Sequence, residues 1–419
     1  MGTLNRHLKA EVLIIGAGLI GSAIAMGLAR LGMTNVIVVD LDLAGEWSSS
    51  ELNAGGVRGT WSQEVNLLTS KLSIEYFQTV AEQVGYHDSG YLWLHRPETF
   101  EQALKAREMH TKLGWQVDVL DVKGIQSKAP FIDKTDDLAG ALFGVKDGLL
   151  NPNRLKEHYR EEAVKLGVKF QDSVWVLERK EHAQVHLLEA FQFKDALDSV
   201  SKKALLTSNP KNKHDFDLAK GQFLDIEAGI VINAGGAWAP ELAKILGYES
   251  PSKPVRRQIS LFHARDLDLT QQGMIIDPSG VYFHPEAIYG LAGFATQNEP
   301  PGFNFDYDGE HFFQEAIWPA LYERGKVFES LKHVSGWAGL YENSPDHHAI
   351  IGKVEGAANA HPIYEAHSFS GHGAMQSYGV GIALAELIVM GRYETLDLHA
   401  LAGSRFKEGR TVASETWVI

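Results

Sequence analysis

The sequence predicts an α/β protein, α+β overall, in which a Rossmann-like nucleotide-binding domain is joined to a second domain built on a large mixed β-sheet. Three observations support this prediction. The chain has 419 residues, which at roughly 150 residues per domain suggests two or three domains. It opens with a strand, a glycine turn, a helix and a second strand, which together form a βαβ unit. Residues 255–335 then carry several β-rich runs, as a second sheet requires.

The opening apolar run has more than one explanation. Residues 12–29 (VLIIGAGLIGSAIAMGLA) contain no charged side chain, so they are compatible with a secretory signal or a membrane span. Three glycines inside the run, and a second β-rich run after it, instead favour a buried strand, a tight turn and a buried helix. No other run in the sequence looks long and apolar enough to span a bilayer, so we expect no membrane span.

The glycine turn has the spacing of a dinucleotide-binding site. In residues 16–21 (GAGLIG), Gly16 permits a tight turn, Gly18 lets the backbone approach a diphosphate, and Gly21 lets the helix pack against the strand. The helix N-terminus, which includes Leu19 and Ile20, offers amide groups and partial positive charge to that diphosphate. The turn therefore predicts a nucleotide cofactor.

An acidic residue, Asp40, ends the second strand. Its carboxylate can accept hydrogen bonds from ribose hydroxyls, and an acid at this position disfavours the 2′-phosphate of NADP. These residues alone do not distinguish FAD from NAD.

The remaining elements follow from hydrophobic spacing and from turn residues. The sequence predicts helices over 64–84, 100–113, 153–166, 310–331 and 377–390, a strand at 90–94, a strand pair at 168–170 and 174–177, and a strand at 230–233. Residues 180–222 are polar and rich in lysine, so we expect hairpins with a long exposed loop.

Composition and charge exclude several classes of protein. Hydrophobic residues make up 44% and charged residues 22% of the chain, as in an ordinary folded protein. The net charge of -14 argues against a nucleic-acid partner, which needs a basic surface. The absence of cysteine excludes disulfides, thiolate metal sites, iron–sulfur clusters and cysteine nucleophiles. It also fits a reducing compartment, so we expect the cytoplasm, or an organelle matrix in a eukaryote.

Four further motifs resemble one known family. They are residues 48–58 (SSSELNAGGVR), 230–238 (IVINAGGAW), 345–352 (PDHHAIIG) and 368–373 (SFSGHG). With the glycine turn they span nearly the whole chain and resemble the FAD-dependent D-amino acid oxidase superfamily, in particular its sarcosine, dimethylglycine and glycine oxidases and dehydrogenases. The resemblance implies a discontinuous FAD-binding domain, residues 1–88, 150–250 and 336–419, and a substrate domain, residues 89–149 and 251–335. The segment 180–222 is longer than this pattern leads us to expect.

The resemblance also implies which residues contact FAD. Ser49 and Ser50 would touch its phosphates, Val176 would contact the adenine, and Ala234 and Gly235 would line the adenosine side. Further contacts are expected from the same motifs at Ala54, Gly55, Gly56, Ala374 and Met375. FAD should be bound without a covalent link, because the chain has no cysteine and no histidine between His7 and His87.

The C-terminal motif is expected at the flavin ring. The backbone amides of Gly371, His372 and Gly373 would face the N1–C2=O edge of the flavin. Hydride transfer to N5 places negative charge on that edge, and a helix N-terminus stabilises such charge.

Arg58 and Tyr282 are the residues that the resemblance places beside the substrate, with His372 as a third catalytic candidate. An arginine fork suits the carboxylate of an amino acid. A phosphate-facing or surface arginine and a core tyrosine are the alternative interpretations. Arg256 or Arg257, and Tyr341, are expected near the same cleft, whereas His284, His347 and His348 are better explained as structural or surface histidines.

Two departures from the oxidase pattern favour a dehydrogenase. Sarcosine oxidases place a lysine after the C-terminal glycine turn, where this chain has Met375. They also place a lysine over the flavin, but this chain has no lysine between residues 254 and 325. A cation beside the flavin helps oxygen accept its first electron. We therefore expect electrons to pass to a protein or a quinone, although O2 remains an open acceptor.

The expected reaction is hydride transfer from a small amine or amino acid to flavin N5, followed by hydrolysis of the imine product. No metal-binding pattern is present in the sequence. Three alternatives stay open: an NAD-dependent dehydrogenase, a non-catalytic assembly or scaffold protein that contains FAD, and a flavin dehydrogenase of 2-hydroxy acids or glycerol phosphate.

Overall fold

The computed structural model of the chain describes residues 6–296, 298–356, 361–410 and 412–418. Its strands are β1 (Arg6–Ile15), β2 (Val36–Val39), β3 (Gly56–Val57), β4 (Tyr91–His95), β5 (Val117–Leu120), β6 (Gly140–Gly144), β7 (Gly148–Leu149), β8 (Lys169–Gln171), β9 (Val174–Lys180), β10 (His186–Phe193), β11 (Gly221–Asn233), β12 (Lys253–His263), β13 (Met274–Ile276), β14 (Val281–Glu286), β15 (Tyr289–Phe294), β16 (Lys332–Asn343), β17 (Ile350–Lys353) and β18 (Ile363–His367). Its α-helices are α1 (Leu19–Arg30), α2 (Glu64–Thr79), α3 (Ala81–Val84), α4 (Pro97–Lys112), α5 (Val122–Lys128), α6 (Pro152–Lys165), α7 (Ser199–Ser208), α8 (Ala239–Leu246), α9 (Gly309–Phe312), α10 (Trp318–Tyr322), α11 (Gly373–Met390) and α12 (Ser404–Lys407).

The first sheet has a parallel centre, as the βαβ reading predicts. Its order is β17-β18-β11-β1-β2-β8, and β10 pairs with both β11 and β9. Strand β1 pairs in parallel with β2 and with β11, while β11 also pairs in parallel with β18. The carboxyl ends of β1 and β11 therefore lie side by side, which is where a ligand binds in an open sheet of this kind.

Helices α1 and α11 pack closely because small residues face each other. A Cβ atom added at Gly27 would lie 2.6 Å from the carbonyl oxygen of Gly381. A Cβ atom added at Gly381 would lie 2.7 Å from the backbone of Ala23. This contact fixes the start of α11 relative to the glycine turn before α1.

The second sheet has eight strands in the order β16-β12-β15-β14-β13-β4-β6-β5. The sheet is mixed, because β13 pairs in parallel with β4 and antiparallel with β14. The predicted fold class, with a Rossmann-like domain and a large mixed sheet, is confirmed. The predicted division into residue ranges stays a proposal, and β16 continues the second sheet to Asn343.

Three predicted elements differ in the structure. The segments 168–170 and 174–177 do not pair with each other, because β8 joins β2 and β9 joins β10 after a left-handed residue at Ser173 (φ 62°). The helix predicted over 310–331 is broken into α9, a π-helical turn (Phe313–Ile317), α10 and a 3-10 turn (Lys326–Ser330). The segment 180–222 contains α7 in place of a long loop.

Among the described residues one helix, α11, is long and apolar enough to cross a membrane by length and composition. The expectation that no run after residue 29 would meet this test is wrong. A buried core helix meets the same test, and 61% of α11 is buried inside the protein, where it packs on α1 and α2. Residues 12–29 form the end of β1, the glycine turn and most of α1, as predicted.

Candidate active site

One continuous cavity is lined by both large sheets. At one end lie the turn after β1, the start of α1 and residues of β9 and α8. At the other end lie residues of β12, β14 and β16 and the N-terminus of α11. Glycine turns and helix N-termini line the cavity, and aromatic side chains lie in both groups of elements.

The glycine turn has no room for larger residues. Gly16 has φ +109°, and a Cβ atom added there would lie 2.3 Å from the carbonyl oxygen of Ala234. A Cβ atom added at Gly21 would lie 1.9 Å from the carbonyl oxygen of Gly16. Gly21 does not line the cavity, so it acts through helix–strand packing, which is the role predicted for it.

Ser50 and Asp40 hold the turn from two sides. The backbone N–H of Leu19 donates to Ser50 Oγ at 3.0 Å, and the N–H of Ala17 donates to Asp40 Oδ2 at 2.6 Å. Burial raises the pKa of Asp40, while hydrogen bonds from the backbone N–H groups of Ala17 and Asp42 oppose the rise. Both side chains line the cavity beside Gly18 and Ile20, so the predicted nucleotide residues are brought together.

The serine-rich motif lies along the middle of the cavity. Ser49, Ala54 and Gly56 line it, and Ser49 Oγ donates to the carbonyl oxygen of Leu340 at 2.6 Å. Gly55 does not line the cavity: it has φ +77° and lies against the carbonyl oxygen of Leu150. The cavity lining also includes Val176, Ala234 and Gly235 at the end expected for adenosine.

The turn before α11 is built from left-handed residues. Ser368, Ser370 and Gly371 have φ values of 63°, 50° and 90°. Left-handed serines are uncommon, so the surrounding structure must hold this turn. The helix begins at Gly373, four residues earlier than predicted, so its first turn (Gly373, Ala374 and Met375) lines the cavity.

His372 precedes α11 and is uncharged. It is buried, its ring meets that of Trp61 edge-on at 4.4 Å, and its Nε2 has no hydrogen-bond partner within the described residues. Burial lowers the pKa of His372 well below its usual value, and the positive charge of Arg58 lowers it further. The backbone amides of this turn, rather than an imidazolium, must supply positive potential to a ligand.

Two tyrosines of the second sheet face the same end. A Cβ atom added at Gly293 would lie 2.2 Å from the hydroxyl of Tyr282, and one added at Gly371 would lie 2.4 Å from the ring of Tyr341. Each ring therefore occupies space that a glycine leaves free. Burial raises the pKa of both phenols, so they stay protonated and neutral near pH 7.

The two arginines at this end differ in their partners. Arg58 is buried, donates from Nη1 to the carbonyl oxygen of Thr60 at 2.8 Å and from Nη2 to that of Trp417, and lies 3.7 Å from the ring centroid of Trp61. Arg257 also lines the cavity and donates from Nη1 to the carbonyl oxygen of Arg256. Its buried Nε has no partner among the described residues.

Glu342 is a cavity residue that the sequence reasoning missed. Its side chain is buried, lines the cavity and accepts one hydrogen bond at 3.4 Å from the N–H of Phe369. Burial raises the pKa of Glu342 to about 7. The sequence places Glu342 after the predicted β-rich runs, which end at residue 335, whereas the structure places it on β16. Its position next to Tyr341, a residue expected near the cleft, was the available signal.

The other candidates lie away from the cavity lining. Arg256 donates to Glu299 at 2.7 Å, and His284, His347 and His348 do not line the cavity. In the parts of the chain that the structure describes, no group of three or more His, Asp or Glu side chains is arranged to hold a metal ion.

The lining suits an elongated nucleotide ligand with an electron-accepting ring. The glycine turn and α1 offer amides to a diphosphate, and the start of α11 offers amides to a ring that gains negative charge. The unpartnered Nε2 of His372 and Nε of Arg257 are buried polar atoms that a ligand would satisfy.

Comparisons with known proteins agree with this geometry. The family model described as DAO, FAD dependent oxidoreductase, matches residues 11–387. The "FAD-dependent oxidoreductase domain-containing protein 1" of Xenopus laevis is 30% identical, over 95% of this chain and 83% of that protein. The "Dimethylglycine dehydrogenase, mitochondrial" of Homo sapiens is 25% identical over 96% of this chain, which spans 45% of that longer protein.

Solved structures show the same fold. The L-proline dehydrogenase from P. horikoshii superposes with a TM-score of 0.81 at 23% identity, covering 97% of this chain and 100% of that one.

Proposed function

Because this chain belongs to the DAO family of FAD-dependent oxidoreductases, we propose that it oxidises the C–N bond of a small amino acid or N-substituted amino acid. The observation that carries the proposal is the cavity itself, which joins a dinucleotide turn to an end that contains two tyrosines and Arg257, whose Nε has no partner among the described residues. Relatives named for dimethylglycine and L-proline support an amino-acid substrate.

FAD, when bound, supplies the hydride acceptor. In this proposal Gly16, Gly18 and Leu19 hold its diphosphate, and Val176 and Gly235 line its adenosine half. The amides of Gly371 and Gly373 stabilise negative charge on its ring, whereas the N–H of His372 donates to the carbonyl oxygen of Phe369 at 2.9 Å and closes the turn. The contacts are non-covalent.

The substrate end selects a carboxylate beside a neutral amine. Arg257 Nε is the free donor there, so we assign Arg257 as the carboxylate anchor, with Arg58 supporting it through the positive potential of the same region. Tyr282 and Tyr341 line the pocket as neutral hydroxyl donors. The positive charges of Arg58 and Arg257 disfavour a protonated amine at this end. The lone pair of the neutral amine can then form the C=N bond as hydride leaves the neighbouring carbon.

We propose a dehydrogenase rather than an oxidase. The chain has no lysine between residues 254 and 325, and the one lysine among the described lining residues, Lys211, is at the opposite end of the cavity. The cations at the substrate end are arginines, one of which already binds two carbonyl groups. An acceptor protein or quinone is therefore the proposed oxidant, in the cytoplasm or an organelle matrix.

An anaerobic substrate panel tests the proposal. Purified protein is mixed with N-methylated glycines, L-proline, glycine and D- and L-amino acids, and the flavin absorbance is followed. We expect bleaching with at least one member, slow recovery when O2 is admitted, and fast recovery with an artificial quinone. Bleaching by 2-hydroxy acids or glycerol phosphate alone would favour the hydroxy-acid alternative. No bleaching with any compound would favour a scaffold role, and a protein that takes up NAD but no flavin would overturn the cofactor assignment.

A further inference from the structure

The segment between β10 and β11 has a role that the family relationship does not give it. Strands β10 and β11 already form a hairpin, in which Phe193 pairs with Gly221 and the N–H of Lys194 donates to the carbonyl oxygen of Lys220 at 3.0 Å. A two-residue turn would close this hairpin. The chain instead inserts residues 195–219, which include α7.

The inserted segment is fixed by three indole groups. Trp47 Nε1 donates to the carbonyl oxygen of Ser199 at 3.2 Å, and Trp238 Nε1 donates to that of Leu206 at 3.0 Å. Trp175 Nε1 donates to the carbonyl oxygen of Pro210 at 3.1 Å. The three tryptophans themselves line the cavity, so the segment is attached to the cavity wall at Ser199, Leu206 and Pro210.

Ion pairs tie the same segment to the nucleotide end of the molecule. Lys202 Nζ lies 2.9 Å from Asp42 Oδ2, and both side chains are only 12% exposed. Lys211 pairs with Glu241 of α8, and both residues line the cavity. Partly buried pairs of this kind are screened less by salt than surface pairs.

The segment also forms part of the cavity surface. Leu206, Asn209, Pro210 and Lys211 line the cavity at the end that holds Val176. Leu206 packs in an apolar cluster with Trp47, Trp238 and two phenylalanines of the 303–305 stretch. No residue of α7 is fully buried, so the helix gains most of its order from these contacts with the wall.

We propose that residues 198–211 form the outer wall of the adenosine site and slow the release of FAD. The inference rests on the proposed cofactor placement, with adenine near Val176. The wall acts on the adenosine half of FAD and leaves the flavin end untouched. Because related complexes differ mainly in dissociation rate, the release of FAD is the quantity that this wall should control.

The test compares FAD release from variants without any substrate. In Lys202→Met the partly buried ion pair to Asp42 is lost while side-chain length is kept. In a hairpin variant, residues 195–219 are replaced by Asn-Gly. Free-FAD fluorescence after dilution should rise about threefold to tenfold faster in Lys202→Met and at least about tenfold faster in the hairpin variant. Val200→Ser, on an exposed position of α7, is the matched control and should release FAD at the wild-type rate.

FMN, which lacks the adenosine half, provides the second arm. Its release should be the same from wild type and Lys202→Met. Equal acceleration of FMN and FAD release, or FAD release within twofold of wild type in both variants, would overturn the proposal.

Hydrogen exchange covers the case in which the hairpin variant does not fold. In the wild-type protein, FAD binding should slow hydrogen exchange of the backbone amides in 198–211 by about tenfold or more. If exchange were not slowed, the proposal that these residues cover the adenosine site would be wrong. A wild-type protein that binds no FAD would refute the cofactor placement before any release is measured. If no compound of the substrate panel bleaches the flavin, the release experiment can still be interpreted, because it uses no substrate.

Discussion

Arg257 tests the substrate end at the level of a single side chain. Replacing Arg257 with Gln should lower kcat/KM for an amino-acid substrate by about 100-fold, mainly through KM, because a charge-assisted bond to the carboxylate is lost. An amine without a carboxylate should show no such loss. Arg256→Gln is the matched control, since Arg256 binds Glu299 away from the cavity lining, and it should change KM less than threefold. Equal effects on both substrates would contradict the assignment.

Glu342 should make stability depend on pH. Its folded pKa of about 7 lies above the ordinary value of 4.5, so its contribution to folding is full below about pH 4.5 and is lost as the pH rises through 7. Glu342→Gln mimics the protonated form. Relative to wild type, this variant should gain about 1–3 kcal/mol of unfolding free energy between pH 5 and pH 8. Urea unfolding at both pH values measures the difference, and a pH-independent difference would show that the carboxyl is not held protonated.

Local spacing predicts some site residues and not others. Gly16, Gly18 and Gly21 lie within one turn and the start of one helix. Their spacing was therefore sufficient to predict that Gly16 and Gly18 line the cavity and that Gly21 packs against the strand. Glu342 is buried only because distant segments close over β16, which no local pattern reveals. The two adjacent arginines of β12 must point to opposite faces, but the sequence does not show which face meets the cavity.

At the scale of elements, the contact between α1 and α11 should tolerate no added methyl group. Gly381→Ala raises intrinsic helix propensity, yet its Cβ would lie 2.7 Å from the backbone of Ala23. We expect a loss of about 1–3 kcal/mol of stability and weaker FAD binding, because overpacking would shift the start of α11. Thermal unfolding with and without FAD measures both effects. Val389→Ala, on an exposed face of α11, is the control, and an unchanged or higher Tm for Gly381→Ala would contradict this packing.

Elements with strong periodicity were the most predictable. The helix at 153–166 was expected and lies at Pro152–Lys165, where Asn151 caps it. The helix over 310–331 was predicted too long, because Pro319 and Gly325 interrupt the helix although the apolar pattern continues through them. Helix α7 was missed because its contacts are made with residues distant in the chain: Trp47 and Trp238 donate to its backbone, and Trp175 donates to Pro210 just after it.

For the whole molecule, the sequence allowed the fold class to be predicted because the opening βαβ unit and the later β-rich stretches are separate signals. Two strand pairings join segments that are distant in the chain. Strand β13 pairs in parallel with β4 across nearly two hundred residues, and β11 pairs with β1 at the centre of the first sheet. Propensity does not determine such pairings, whereas packing of the completed sheets does.

The cavity has a consequence for biosynthesis. Its walls join Gly16, near the start of the chain, to Gly373, near the end. A growing chain on the ribosome adds about 5–20 residues per second, so the glycine turn exists for some tens of seconds before its partner helix is made. The complete flavin cradle therefore forms only after Gly373 has been synthesised, and the half-made cradle stays open until then.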